Sequence, residues 1–117
     1  MKLFNTVTGK KGEEIASEFL KNKGYEIVER NWRNKFGEID IIAKKDNVLV
    51  FGEVKTKIGE LYGLPEEMVG RGKLQKVRNM ATVYLKGKEI SCRIDVIAIV
   101  LADNGSVSRI NHYENVY

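Results

Sequence analysis

Two acidic residues lie inside segments that have the composition of β-strands. Asp40 falls within the β-rich run 37–44 and Glu53 within the run 48–56, and turn-forming residues at 45–47 separate the two runs. A two-residue turn at 46–47 predicts a hairpin in which Asp40 faces Glu53, with Cβ atoms about 4.5–5.5 Å apart. A symmetric four-residue loop predicts the same pairing, whereas a three-residue loop does not.

Like charges that face each other across a hairpin destabilise it unless a cation lies between them. Because the ligands on offer are carboxylate oxygens, the cation that fits is a hard divalent ion, Mg²⁺ or Mn²⁺. Lys55 lies two residues beyond Glu53, and therefore on the same face of its strand. Two carboxylates, a metal ion and an ammonium group can hydrolyse a phosphate ester, so the pattern predicts that Asp40, Glu53 and Lys55 are catalytic. The alternative is ordinary ion pairing of Glu53 and Lys55 with each other or with Glu38 at a strand end.

A third carboxylate is expected from the first predicted helix, over residues 9–23. Four apolar residues recur there at helical spacing, namely Ile15, Ala16, Phe19 and Leu20. Gly24 follows as a helix end signal. Glu13 flanks the apolar stripe, whereas Glu14 lies nearly opposite it and is expected in solvent. Glu13 is therefore the glutamate that can lean toward the sheet.

Basic residues are unevenly distributed along the chain. Lys and Arg number 20 against 16 Asp and Glu, which gives a net charge of +4. Residues 71–93 hold seven basic residues and one acidic residue, and residues 1–12 hold three lysines before the first acidic residue. Such clusters favour a polyanion such as DNA, although a solvated helix face has the same pattern. The predicted DNA contacts are Lys10, Lys11, Arg33, Arg71, Lys73, Lys76 and Arg78.

Residue counts exclude several other classes of protein. One cysteine, Cys92, cannot form an internal disulfide, and with one histidine it cannot build a structural zinc site. The longest apolar run, 96–102, is far shorter than the roughly 18 residues of a membrane span. The first residues lack the apolar core of a signal peptide. We therefore expect a cytoplasmic protein with no membrane partner.

The remaining elements must position these side chains within one domain over residues 1–117. Strands are predicted at 25–30, 92–101 and 107–116, a loop at 57–64, and a helix from Lys73 to near Gly87. Pro65 fits the first position of a helix, while Gly70 and Gly72 are expected to interrupt this region. The order is helix, three strands, helix and two strands, which predicts a mixed α/β domain.

Three further residues have two interpretations each. Asp95 lies in an apolar strand, where a structural hydrogen-bonding role is favoured. Trp32 could stack on a base, but a tryptophan beside a strand more often packs against the core. His112 could act as a general base, but it lies far in sequence from the carboxylates.

The set Glu13, Asp40 and Glu53-Val54-Lys55 resembles the PD-(D/E)XK nuclease superfamily, whose restriction-endonuclease-like core has a helix, three strands, a helix and another strand. More closely, the whole chain resembles the bacterial YraN family. The matching pieces cover nearly all of the chain and are Gly9-Lys10-Lys11-Gly12-Glu13-Glu14, Gly37-Glu38-Ile39-Asp40-Ile41-Ile42-Ala43, Glu53-Val54-Lys55-Thr56, Tyr62-Gly63-Leu64-Pro65, Arg93-Ile94-Asp95-Val96 and Ile110-Asn111-His112. Ile39 stands before Asp40, where the superfamily's name has proline.

The motif of a glutamate in the first helix, followed by Asp40 and by Glu53-Val54-Lys55, is also similar to archaeal Holliday junction resolvases. This resemblance implies that Glu13, Asp40 and Glu53 bind the metal ion and that Lys55 is the catalytic lysine. It implies a Mg²⁺-dependent endonuclease that cuts branched or structured DNA and leaves 5′-phosphate and 3′-hydroxyl ends. Symmetric cutting of a four-way junction needs two active sites, and hence a homodimer. The alternatives are a nucleic-acid-binding module with little or no catalysis, and a repair nuclease acting on another DNA or RNA substrate.

Overall fold

The elements follow the predicted order along the chain. The computed structural model describes residues 2–59 and 63–117. Its elements are α1 (Lys2–Asn22), β1 (Glu26–Asn34), β2 (Gly37–Lys45), β3 (Val48–Ile58), a short 3-10 helix (Pro65–Met68), α2 (Arg71–Leu85), β4 (Cys92–Leu101) and β5 (Val107–Tyr113). The predicted mixed α/β architecture is therefore confirmed.

The five strands form one sheet in the order β1-β2-β3-β4-β5. Neighbouring strands are antiparallel except for β3 and β4, which are parallel. A parallel pair needs a crossover connection, and the segment that contains α2 provides it. The sheet is therefore mixed, with its two edges at β1 and β5.

The hairpin of β2 and β3 has the predicted register. Asp46 and Asn47 adopt φ angles of 52° and 64°, and two positive φ values are characteristic of the tight turns that match the twist of a hairpin. Lys45 pairs with Val48, and the pairing continues to Ile41 and Gly52. It ends there, so the two carboxylates expected to face each other are the first residues beyond the paired ladder.

The two helices cover opposite faces of the sheet. Ala16 and Leu20 of α1 pack with one buried set of strand residues, which includes Ile41 and Val50. On the other face, a second buried set is formed by residues of α2 and of the strands, among them Leu74, Val77, Met80, Ile39 and Phe51. Residues 94–101 of β4 are all buried, as its apolar sequence predicts for a strand covered on both faces.

Several element boundaries differ from the predictions; α2, for example, begins at Arg71 rather than at Lys73. The first helix begins at Lys2 rather than Gly9. Strand β1 continues to Asn34 rather than ending at residue 30, because it pairs with β2 down to the turn. Strand β3 takes the first two residues of the predicted loop, since its parallel pairing with β4 extends to Ile58 and Leu101. The last strand ends at Tyr113 rather than at residue 116. Residues 60–62 of the predicted loop lie outside the described residues.

Only one of the two glycines expected to interrupt the region around α2 does so. Gly70 is the N-cap of α2, and Gly72 lies in its first turn without ending it. Pro65 occupies the first position of the 3-10 helix, as predicted. Within the described residues, no helix is long and apolar enough to cross a membrane.

Candidate active site

The candidate site forms where β2 and β3 separate. Asp40 Oδ2 accepts a hydrogen bond from the Val54 backbone N–H at 2.8 Å, so a side chain replaces the next rung of the ladder. Ile39 and Ile41 belong to the cores on opposite faces of the sheet, although residues two apart on a regular strand share a face. The alternation therefore breaks at Asp40. In β1, Asn31 lies between the partners of Ile39 and Ile41 and adopts φ 54°.

Glu53 is a buried carboxylate with only one of its two oxygens paired to a cation. Its side chain is 8% exposed, and its Oε1 lies 3.4 Å from Lys73 Nζ. Its Oε2 is buried and has no hydrogen-bond partner among the described residues. Burial raises the pKa of Glu53, and the Lys73 ammonium opposes that effect. One oxygen of this carboxylate therefore remains available to a ligand.

Asp40 has a strongly perturbed pKa. Burial is the largest cause, and the negative charge of Glu53 adds to it, so that the pKa of Asp40 rises to about 7 although Val54 donates a hydrogen bond to the carboxylate. Without a cation, this pair therefore tends to retain a proton near neutral pH.

Glu13 is brought to Asp40, but not to Glu53, by a close approach of α1 to β3. Gly12 is buried, and a Cβ at that position would overlap the Thr56 hydroxyl. Carboxylate oxygens of Glu13, Glu38 and Asp40 lie within 4.8 Å of one another. Burial and the charge of Asp40 raise the pKa of Glu13, while a hydrogen bond with Asn31 works in the opposite direction. Glu14 is exposed, as predicted, and its Oε2 pairs with Arg30 at 2.9 Å.

The ion pairs around Glu53 differ from those that the alternative interpretation of the sequence predicts. Glu53 does form an ion pair, but its partner is Lys73 from the first turn of α2 and not Lys55. Glu38 pairs with Arg33 at 3.0 Å rather than with a residue of β3. Lys55 is half-buried on β3, and its charge helps to lower the pKa of Glu53. The lysine predicted to be catalytic is therefore close enough to act on the same carboxylate.

The residues predicted to contact DNA are placed at several positions around the molecule. Arg33 and Lys73 border the carboxylates through their ion pairs. Lys76 follows Lys73 by one helical turn, and Arg78 lies over the ring of Tyr117 at 5.0 Å. The other three are exposed on helices, namely Lys10, Lys11 and Arg71.

A second cluster of charged residues is centred on Asp95, whose side chain is fully buried. Its carboxylate accepts hydrogen bonds from Arg93 at 2.9 Å and from the Asn115 backbone at 3.0 Å, and it lies 2.7 Å from His112 Nε2. Burial acts to raise the pKa of Asp95, but the bonds from His112 and Arg93 outweigh it and the pKa is lowered. Arg93 also pairs with Glu114 at 2.8 Å. These contacts fit the structural role favoured for Asp95 and hold His112 in the same cluster.

The Trp32 side chain packs against neighbouring residues of the protein. Its ring meets the ring of Tyr84 edge-on at 5.2 Å between centroids, and it packs against the core beneath α2. This contact supports the packing interpretation of Trp32.

Sequence reasoning missed Glu38 and Asn31 as members of the site. Glu38 lies two residues before Asp40 on one strand, and that spacing is the signal that could have placed it beside Asp40. Asn31 gave no signal, because its approach to Glu13 depends on the packing of α1 over β1 and β2.

The chain has relatives of similar length in several organisms. The family model described as "Uncharacterised protein family UPF0102" matches residues 12–99. The UPF0102 protein of Desulforamulus reducens is 43% identical over 120 residues, covering 98% of each chain. The UPF0102 protein of Persephonella marina is 45% identical over 103 residues, covering 84% of this chain and 87% of its own length. The protein of Clostridium botulinum is 43% identical over 117 residues, covering 97% of this chain and 95% of its own.

Proposed function

The chain belongs to the UPF0102 family, also called YraN, and we propose that it is a metal-dependent endonuclease that hydrolyses phosphodiester bonds in branched or structured DNA. The observation that carries this proposal is the carboxylate pair in the gap between β2 and β3. Glu53 has a buried oxygen without a partner among the described residues, and the neighbouring Asp40 has a pKa raised to about 7. Neither feature stabilises the fold without a cation, so a bound cation accounts for both.

The donor set fits a hard divalent cation. The candidate ligand atoms are carboxylate oxygens, which Mg²⁺ and Mn²⁺ prefer. Glu13 and Asp40, whose carboxylate oxygens lie within 4.8 Å of each other and of Glu38, would hold the ion, and Glu53 would add the free oxygen of its carboxylate from β3. When bound, the ion would polarise the phosphate and lower the pKa of a coordinated water.

The lysines of the site supply complementary charge. Lys55, on the same strand as Glu53, would orient the attacking water or neutralise the charge that develops on the phosphate. Lys73 has an exposed side chain and reaches Glu53 from the first turn of α2, so it can contact a phosphate that binds beside the carboxylates. Lys55 of β3 and Lys73 of α2 thus supply ammonium groups to the site.

The substrate class rests on the resemblance to the PD-(D/E)XK superfamily and to archaeal Holliday junction resolvases. The basic residues beside the carboxylates favour a polyanion, and each copy of the chain offers one such site. Two symmetric cuts in a four-way junction therefore require a homodimer.

The proposal is tested by incubating the purified protein with labelled four-way junction, flap, duplex and single-stranded DNA in Mg²⁺, Mn²⁺ or EDTA. We expect cleavage of the junction or the flap with either metal ion and none with EDTA. Asp40→Asn, purified in parallel, serves as the control for contaminating nuclease. Binding without cleavage of any substrate would favour a nucleic-acid-binding module, and cleavage by Asp40→Asn would reject the site.

A further inference from the structure

Phe36 is presented to solvent at the tip of the hairpin that joins β1 and β2. Its side chain is 73% exposed, the highest value among the large hydrophobic residues whose burial the structure describes. The Phe36 backbone N–H donates a hydrogen bond to Asn34 Oδ1 at 2.8 Å, which orders the tip. Lys35 Nζ lies 5.2 Å from the ring centroid. An exposed aromatic ring beside a lysine is a common feature of nucleic-acid-binding surfaces.

The ring borders a groove of about 230 Å³ between the hairpin tip and α2. Met80 and Val83 give the groove apolar walls, and Lys76 gives it positive charge. Asn79 Oδ1 already accepts a hydrogen bond from Gln75 at 3.0 Å, so its amide nitrogen remains the group that can donate to a ligand. The apolar wall can contact the face of a nucleobase, and the amide nitrogen of Asn79 can donate a hydrogen bond to its edge. The ammonium group of Lys76 can contact the phosphate of the same nucleotide.

Two elements of the fold, β2 and α2, place the groove next to the carboxylates. Phe36 lies directly before β2 and precedes Glu38 by two residues, which span at most about 7 Å of chain. Along α2, Lys76 follows Lys73 by three residues, and side chains three apart on a helix are neighbours. Since Glu38 and Lys73 both belong to the candidate active site, a nucleotide in the groove would adjoin a phosphate held there.

We infer that Phe36 and this groove form a subsite for an unstacked nucleobase next to the phosphate that is cut. This inference rests on the proposed function and narrows its substrate class. An uninterrupted duplex offers no free base to the ring, whereas single strands and flaps carry unpaired bases, and base stacking is interrupted at the exchange point of an open four-way junction. The subsite therefore favours DNA with unstacked bases over an uninterrupted duplex.

The test compares two oligonucleotides with the same number of phosphates, oligothymidylate and an abasic strand, in EDTA so that no cleavage occurs. Fluorescence anisotropy gives Kd for each. Phe36→Ala should raise Kd for oligothymidylate by about 5-fold or more and leave Kd for the abasic strand unchanged, because loss of a base–aromatic stack is felt only where a base is present. Phe36→Trp should restore binding. Val107→Ala, at an exposed site on the opposite edge of the sheet, is the matched control and should change neither value.

The outcomes separate this inference from the proposed function. If the wild type cuts branched DNA but Phe36→Ala weakens binding to both strands equally, or to neither, the base subsite is rejected and the nuclease remains. If the wild type neither binds nor cuts any DNA, both are rejected. If Phe36→Ala dissociates a wild-type dimer in sedimentation, the ring belongs to a protein interface and the subsite is rejected.

Discussion

Neutralising Asp40 should stabilise the metal-free protein, and the gain should depend on pH in a defined way. The pKa of Asp40 is raised from its ordinary value of 3.8 to about 7 by burial and by the charge of Glu53. Between these two values the folded protein retains a proton that the unfolded chain has lost. The carboxyl therefore lowers the stability of the fold as pH rises through this window. Asn keeps the shape and the acceptor for Val54 N–H but never becomes charged.

The expected magnitude follows from that shift. The stability of Asp40→Asn relative to wild type should increase by about 1.4 kcal/mol for each pH unit between about 4 and about 7, and then level off. The total, about 4 kcal/mol, is an upper bound, because side chains can rearrange around the charge. Between pH 5 and pH 8 we expect the relative gain to grow by about 2–3 kcal/mol, which corresponds to a rise in Tm of roughly 8 °C or more.

Urea or thermal unfolding in EDTA, at several pH values between 5 and 8, measures this gain directly. Asp103→Asn is the matched control, since Asp103 is exposed in the turn between β4 and β5 and its replacement should change stability by less than about 0.5 kcal/mol. An Asp40→Asn variant that is less stable than wild type at pH 8, or whose advantage does not change with pH, would refute the argument and favour an ordinary structural carboxylate.

Three further variants probe the site and its scaffold. Lys55→Ala should abolish Mg²⁺-dependent cleavage while leaving the Kd for DNA in EDTA within a few-fold of wild type, as read by gel cleavage and anisotropy. The double variant Lys73→Ala/Lys76→Ala should weaken DNA binding and reduce the slope of log K against log salt by about 1–2, because fewer counterions are released from the DNA when fewer phosphate contacts form. An unchanged slope would place the DNA-binding surface elsewhere. Gly12→Ala should lower stability by about 1–3 kcal/mol because its Cβ would overlap a threonine of β3, whereas Gly9→Ala, with open space around it, should be neutral or stabilising.

The hairpin register could be predicted because it depends on local chemistry. Asp46 and Asn47 tolerate positive φ, so the turn length and the pairing of β2 with β3 follow from neighbouring residues. The end of the pairing could not be predicted in the same way. It depends on Asp40 accepting the Val54 N–H, a bond between a side chain and the backbone that pairing rules do not include.

The identity of Glu53's cationic partner also escaped prediction. Spacing along one strand favoured Lys55, but the ion pair is formed by Lys73, which is remote in sequence and arrives through the crossover to α2. The position of Glu13 depended in part on a similar long-range contact, the approach of Gly12 to Thr56. Periodicity could show which helix face Glu13 flanks, but only packing shows which strand that face meets.

Cleavage of a labelled four-way junction by wild type, Glu53→Gln and Glu14→Gln, purified in parallel, tests the central claim most directly. Glu14 is exposed on α1, one residue from Glu13, and so provides a control for the loss of a glutamate charge. Wild type and Glu14→Gln should cut in Mg²⁺ and not in EDTA, and Glu53→Gln should not cut in either. Equal cleavage by Glu53→Gln, or cleavage by wild type in EDTA, would contradict the assignment of a metal-dependent active site to the carboxylates between β2 and β3.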